Sequence, residues 1–103
     1  MKGTNQIKKS KINLLICIYE LFSMNNNETI VEMFTRFTNI VTGLQALGMT
    51  YKEFEKVMKI LRSFPNKWEA KVKAIQEAKD FTKLPLEELI GSLMTHEITI
   101  KNH

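Results

Sequence analysis

Apolar residues in this chain recur at intervals of three and four, not by strict alternation, in every stretch between one helix-stopping cluster and the next. That periodicity fits helices and leaves no candidate strand. The expected fold class is therefore all-α, a compact bundle of about five helices. The stops are Asn25-Asn26-Asn27, Gly48, Pro65 and Pro85. Asn and Gly tolerate turn and left-handed geometry, and Pro denies the helix a donor. A length of 103 residues with 44% apolar content supports one packed domain.

The spacing predicts a first helix from about Lys11 to Met24, capped by Ser10, with Leu14, Ile18, Leu21 and Phe22 on its inner face. A second helix opens at Thr29, where Glu32 three residues later completes a capping box. Its stripe of Ile30, Met33, Phe34, Phe37, Ile40, Val41, Leu44 and Leu47 runs to Gly48 and makes it the expected spine of the core. Gly43 within it points to a close helix crossing or a local weakness. The third helix opens at Thr50 with Glu53 and stops before Pro65. Its apolar residues, from Tyr51 through Val57, Met58 and Ile60 to Phe64, cover about half the circumference. Such an arc fits either a helix central in the bundle or one whose flank meets another chain. A fourth helix is capped by Asn66 with Glu69, and a fifth follows Pro85 with Leu86, Leu89, Ile90, Leu93 and Met94 on one face. Residues 1–10 are expected to be a basic disordered arm, 11–98 the helical domain and 99–103 a frayed tail.

The net charge of +4 resides entirely in Lys2, Lys8, Lys9 and Lys11, since eleven basic residues beyond them are balanced by eleven acidic ones. A dense phosphate-binding stripe is absent from the helical part, and Lys8, Lys9 and Lys11 are the candidates for any nucleic-acid contact. The apolar run Leu14 to Tyr19 is far short of the ~20 residues that span a bilayer, and no small-residue cleavage site follows it. A cytoplasmic protein with no membrane partner is expected. The lone Cys17 forms no disulfide framework or zinc quartet and suits a reducing compartment.

Reactive groups do not converge in the pattern. His96 and His103 lie at the end of the chain without a paired nucleophile or a set of metal ligands, so a surface imidazole is the simpler reading. Glu87 and Glu88 are adjacent, hence about 100° apart on a helix, and suit its N-terminus better than an acid–base pair. No catalysis, cofactor, metal or small-molecule substrate is expected.

Five ordered blocks carry a resemblance: Tyr19-Glu20-Leu21-Phe22, Met33-Phe34-Thr35-Arg36-Phe37-Thr38, Lys59-Ile60-Leu61-Arg62-Ser63, Trp68-Glu69-Ala70-Lys71, and the run from Leu84-Pro85-Leu86 to His96-Glu97. From about Ile12 to Asn102 the chain resembles the Gag polyprotein of plant copia-type LTR retrotransposons. By analogy with retroviral Gag, the resemblance implies a fold like the C-terminal lobe of a capsid, which self-associates as a homodimer or higher oligomer to build a particle shell around RNA. The retroviral lobe opens with Gln-Gly, then Glu, then Arg-Phe eight residues after that Glu. Glu28 and Arg36-Phe37 match the second half of this pattern, while Met24-Asn25 stand where Gln-Gly would be. The resemblance also places a two-fold contact on the helix after the spine, which makes Tyr51, Val57, Met58 and Ile60 the candidate interface residues. The family's N-terminal capsid lobe and Cys-Cys-His-Cys zinc knuckle have no counterpart in these residues. The expectation is a fragment or degenerate Gag-derived unit that contacts RNA weakly through Lys8, Lys9 and Lys11. Two other readings stand beside it: a small helical nucleic-acid binder using those lysines with Lys67, Lys71, Lys73 and Lys79, and an adaptor offering an apolar helix face to a different protein.

Overall fold

Backbone donors at a helix start have no partner within the helix, and in this chain they are satisfied mostly by carboxylates. In the computed structural model, which describes residues 2–80 and 82–101 and side chains within 6–80 and 82–99, Thr29 and Glu32 form the expected capping box. Thr29 Oγ1 accepts the Glu32 N–H at 3.1 Å, and the Glu32 carboxylate accepts the Thr29 N–H at 2.9 Å. The helix so begun, α2, runs Ile30–Ala46 and follows α1, Lys2–Glu20. Next come α3 at Glu53–Leu61, a 3-10 turn at Asn66–Trp68, α4 at Glu69–Ala78 and α5 at Leu86–Lys101. The described residues are thus all-helical, with the five α-helices the spacing predicts. Thr29→Ala should lower stability by about 1 kcal/mol, read as a lower denaturant midpoint at unchanged slope.

Boundaries differ from expectation where a partner distant in sequence intervenes. α1 begins at Lys2 instead of about Lys11, and Ser10 lies inside it. The segment expected to be a disordered arm is therefore helical from Lys2 on. α1 also ends earlier, at Glu20, before a turn at Leu21. α3 starts two residues late: Lys52 precedes it, and Glu55 accepts the Lys52 N–H at 3.0 Å, whereas a lysine side chain has no acceptor to complete the box. Glu53 instead accepts the Leu86 N–H at 2.9 Å and so caps α5. α5 returns the arrangement further on, where Glu97 accepts the Ile30 N–H at 2.9 Å at the start of α2. Asn66 opens a 3-10 turn and makes no side-chain cap. α5 continues to Lys101, beyond the expected fraying point at Thr99, and residues 102 and 103 lie outside the described residues.

The core lies between α2, α3 and α5. Ile30, Met33, Phe37, Leu44, Val57, Ile60, Leu89 and Leu93 are its fully enclosed side chains. α2 is the spine, with α1 on one side and α5 on another. Phe37 packs against Tyr19 and Phe22, with ring centroids 5.6 and 5.3 Å away. A Cβ at Gly43 would sit 3.3 Å from Leu15 Cδ1, so the glycine lets α1 cross α2 closely. Gly48, at φ 91°, takes the left-handed conformation that ends α2. Trp68 is buried with its indole N–H lacking an acceptor among the described residues. An orphaned donor costs about 1–3 kcal/mol, less than the roughly 4–6 kcal/mol expected from enclosing a Trp ring at about 25 cal/mol per Å², so packing wins.

Candidate functional site

The link from α1 to α2 is a nine-residue irregular stretch, Leu21 to Thr29, held by one ion pair. Arg36, one and a half turns into α2, reaches back to Glu28 with two parallel bonds, of which Nη2 to Oε1 is 2.7 Å. The same Nη2 donates to the Ser23 carbonyl at 2.8 Å, and the guanidinium lies 4.6 Å over the Phe22 ring. Glu28 Oε1 also accepts the Asn25 N–H at 3.0 Å. Its side chain is only 7% exposed, and the Arg36 bonds hold its carboxyl below the usual range despite burial acting in the opposite direction. A planar fork facing a carboxylate fixes both partners' orientation, which a lysine would not do. Phe37, the next residue, is turned fully into the core.

Four further polar ties complete this corner, and none is legible from local pattern. Met24 N–H donates to the Ser63 carbonyl at 2.8 Å. The buried Ser63 Oγ lies within reach of both the Lys59 and Phe22 carbonyls, sharing one proton between them. Lys59 Nζ donates to the Glu20 carbonyl at 2.6 Å at the end of α1, and Lys67 Nζ to the Asn26 carbonyl at 3.3 Å. The only advance signal was the position of Ser63 between the end of α3 at Leu61 and Pro65.

The candidate interface residues divide. Val57 and Ile60 have no exposed surface and belong to the core, which corrects their assignment to a self-association contact. They face α5 because α3 is only nine residues long and its inner row must fill the space beneath Leu89 and Leu93. Tyr51 and Met58 are half-buried, and Phe54 is 41% exposed. Tyr51 stacks on Tyr19 at 4.3 Å with the rings 8° from parallel. Together with Phe54, Met58 and Lys59 these rings line a shallow groove of about 310 Å³ between α1 and α3. Burial pushes the Tyr19 hydroxyl up to about 12, so it stays protonated at physiological pH.

α1 presents the larger departure. Leu14, Ile18 and Leu21, expected to face the core, are exposed, and the inner row is Leu15, Ile16 and Tyr19. The two rows differ by one residue in register, and a stripe with apolar residues on both sides gives local periodicity no means of choosing. Ile7 extends the outer row. Lys8, Lys9 and Lys11 are all exposed on the same helix.

Titratable groups do not gather. Among the described residues no three of His, Cys, Asp and Glu stand close enough to hold a metal ion, and no helix is long and apolar enough to cross a membrane. His96 is half-buried, edge-on to Trp68 at 5.4 Å, instead of a free surface group, and His103 lies outside the described residues. Glu88 pairs with Lys79 at 3.2 Å. A recess of about 430 Å³ beside α5 is lined by Asn26, Asn27, Lys67 and Trp68, with Glu97 already engaged as a cap.

These features define an all-helical unit whose polar side chains fasten its own loops. The chain belongs to the family of gag polypeptides of LTR copia-type elements, whose family model matches residues 3–103, nearly its full length. That family is structural and non-catalytic. No curated protein and no solved structure matches the chain.

Proposed function

We propose that this chain is a self-associating capsid-type unit of a retrotransposon Gag, equivalent to the C-terminal lobe, that contributes to a particle shell in the cytoplasm and performs no catalysis. One observation supports this beyond family membership. In a chain this small, Ile7, Leu14 and Ile18 on α1, Leu21 in the turn just after it and Phe54 on α3 remain exposed, while carboxylates such as Glu53 and Glu97 are taken up by structural bonds within the chain. Large apolar side chains aligned on a surface indicate a contact with protein. The exposed Lys8, Lys9 and Lys11 support a weak, salt-sensitive contact with RNA as a secondary property.

Sedimentation velocity across a concentration series tests the proposal. A weight-average coefficient that rises with concentration is the expected result. A monomer at every concentration that binds RNA with steep salt dependence would instead favour the nucleic-acid-binding reading.

A further inference from the structure

Resting on the self-association reading, we propose that the partner of the exposed α1 row is the α1 of a second copy, packed antiparallel about a two-fold axis at Leu14. Three observations lead there. The first is spacing: Ile7, Leu14 and Leu21 recur at seven-residue intervals, with Lys11 and Ile18 in the intervening positions. Seven residues return a helix to within about 20° of its starting direction, so these side chains form one narrow seam of the kind that meets another helix. Their exposures are 66, 60 and 81% at the heptad positions and 40% at Ile18. The seam is turned roughly 130° around α1 from the inner row of Leu15, Ile16 and Tyr19, and the chain's own core leaves it uncovered.

The second observation is the unsupported half of the helix. From Gln6 to Lys11 every residue of α1 is exposed, and packing on the rest of the chain begins only at Ile12. A helical segment that short is marginal in water without a tertiary partner. A second helix along the seam supplies that partner without disturbing the core.

The third is charge, which selects the direction. Lys8, Lys9 and Lys11 all stand in the N-terminal half, whereas the C-terminal half carries Glu20 and the helix carbonyl end, part of which Lys59 already meets. Parallel pairing would bring lysines against lysines, with Lys11 facing Lys11 in the seam. Antiparallel pairing moves them to opposite ends, beside the partner's Glu20 and the negative end of its dipole. In that arrangement Leu14 meets its own copy, Ile7 falls beside Leu21 of the partner subunit, and the Lys11 stem lies along an apolar seam with its ammonium in water.

Disulfide capture in the full chain, in a Cys17→Ser background, separates the arrangements. Leu14→Cys should yield a dimer on mild oxidation. Ile7→Cys alone and Leu21→Cys alone should not, because their copies would stand about 21 Å apart along the helix axis, but the two mixed should cross-link to each other. Homodimers of Ile7→Cys would overturn the antiparallel arrangement. As a second measurement, Leu14→Glu with Leu21→Glu should weaken self-association at least tenfold in Kd while the variant still unfolds in one cooperative thermal transition, since both side chains are exposed, with any loss of far-ultraviolet circular dichroism limited to the unsupported first turns of α1. Unchanged self-association in that variant, with no cross-link at any position, would overturn the α1 contact and leave self-association standing through another face. A monomeric wild type at every concentration would overturn both.

Discussion

Val57→Asp should unfold the protein instead of only separating copies of it. Val57 has no exposed surface and stands in the layer where α3 meets α5. A carboxylate there would be enclosed in an apolar cluster that includes Ile60, Leu89 and Leu93. The group must either stay charged in a poor solvent or take up a proton at a raised pKa, and the loss of well-packed methyl groups adds to either cost. The total is about 4–5 kcal/mol or more, against a stability of roughly 5–15 kcal/mol for a domain of this size. Circular dichroism melting should show a collapse of Tm or no cooperative transition, and Ile60→Asp should behave alike. Phe54→Asp, on the exposed flank of the same helix, should change stability by about 0.5 kcal/mol or less. A folded, monomeric Val57→Asp variant would mean that the residue lies at a contact after all.

Arg36→Ala should cost about 2–4 kcal/mol, more than a surface ion pair, because it strands the enclosed Glu28 carboxylate and frees the Ser23 carbonyl as well. Arg36→Lys should recover little, since a single ammonium cannot serve both carboxylate oxygens and Ser23 together. The pair also sets an acid limit. Glu28 has a lowered pKa in the folded protein, so its contribution is fully present above the ordinary value near 4.5 and is lost as pH falls from there through the folded value. Stability measured from pH 7 to pH 2 should fall over that acid range in the wild type. Glu28→Gln should start less stable and lose much of that slope. An identical acid slope in Glu28→Gln would show that other carboxylates set the limit.

Legibility in the sequence varied by element for physical reasons. α2 was readable throughout because its signals are local: Thr29 and Glu32 cap each other within one turn, and the stripe from Ile30 to Leu44 has polar residues behind it. Glu28 and Arg36 could be brought together from sequence only through the resemblance, since eight residues and a change from loop to helix separate them. α3 misled because both Glu53 and Glu55 stand in capping positions. Which of them caps α3 depends on whether α5 begins close by, and a local window contains no information about α5.

The chain's own periodicity and stop residues determined that it forms five helices, since hydrogen bonding within each helix and its apolar spacing are matters of near neighbours. Only tertiary structure decided which side of α1 and which row of α3 turn inward. Two apolar rows on one helix have nearly the same affinity for a core, and the choice falls to whichever fits the space left by α2 and α5. Gly43 opens that space for Leu15, and Glu53 and Glu97 fix where α5 lies. Shape across the core, which no local window contains, thereby left Ile7, Leu14, Ile18 and Leu21 outside.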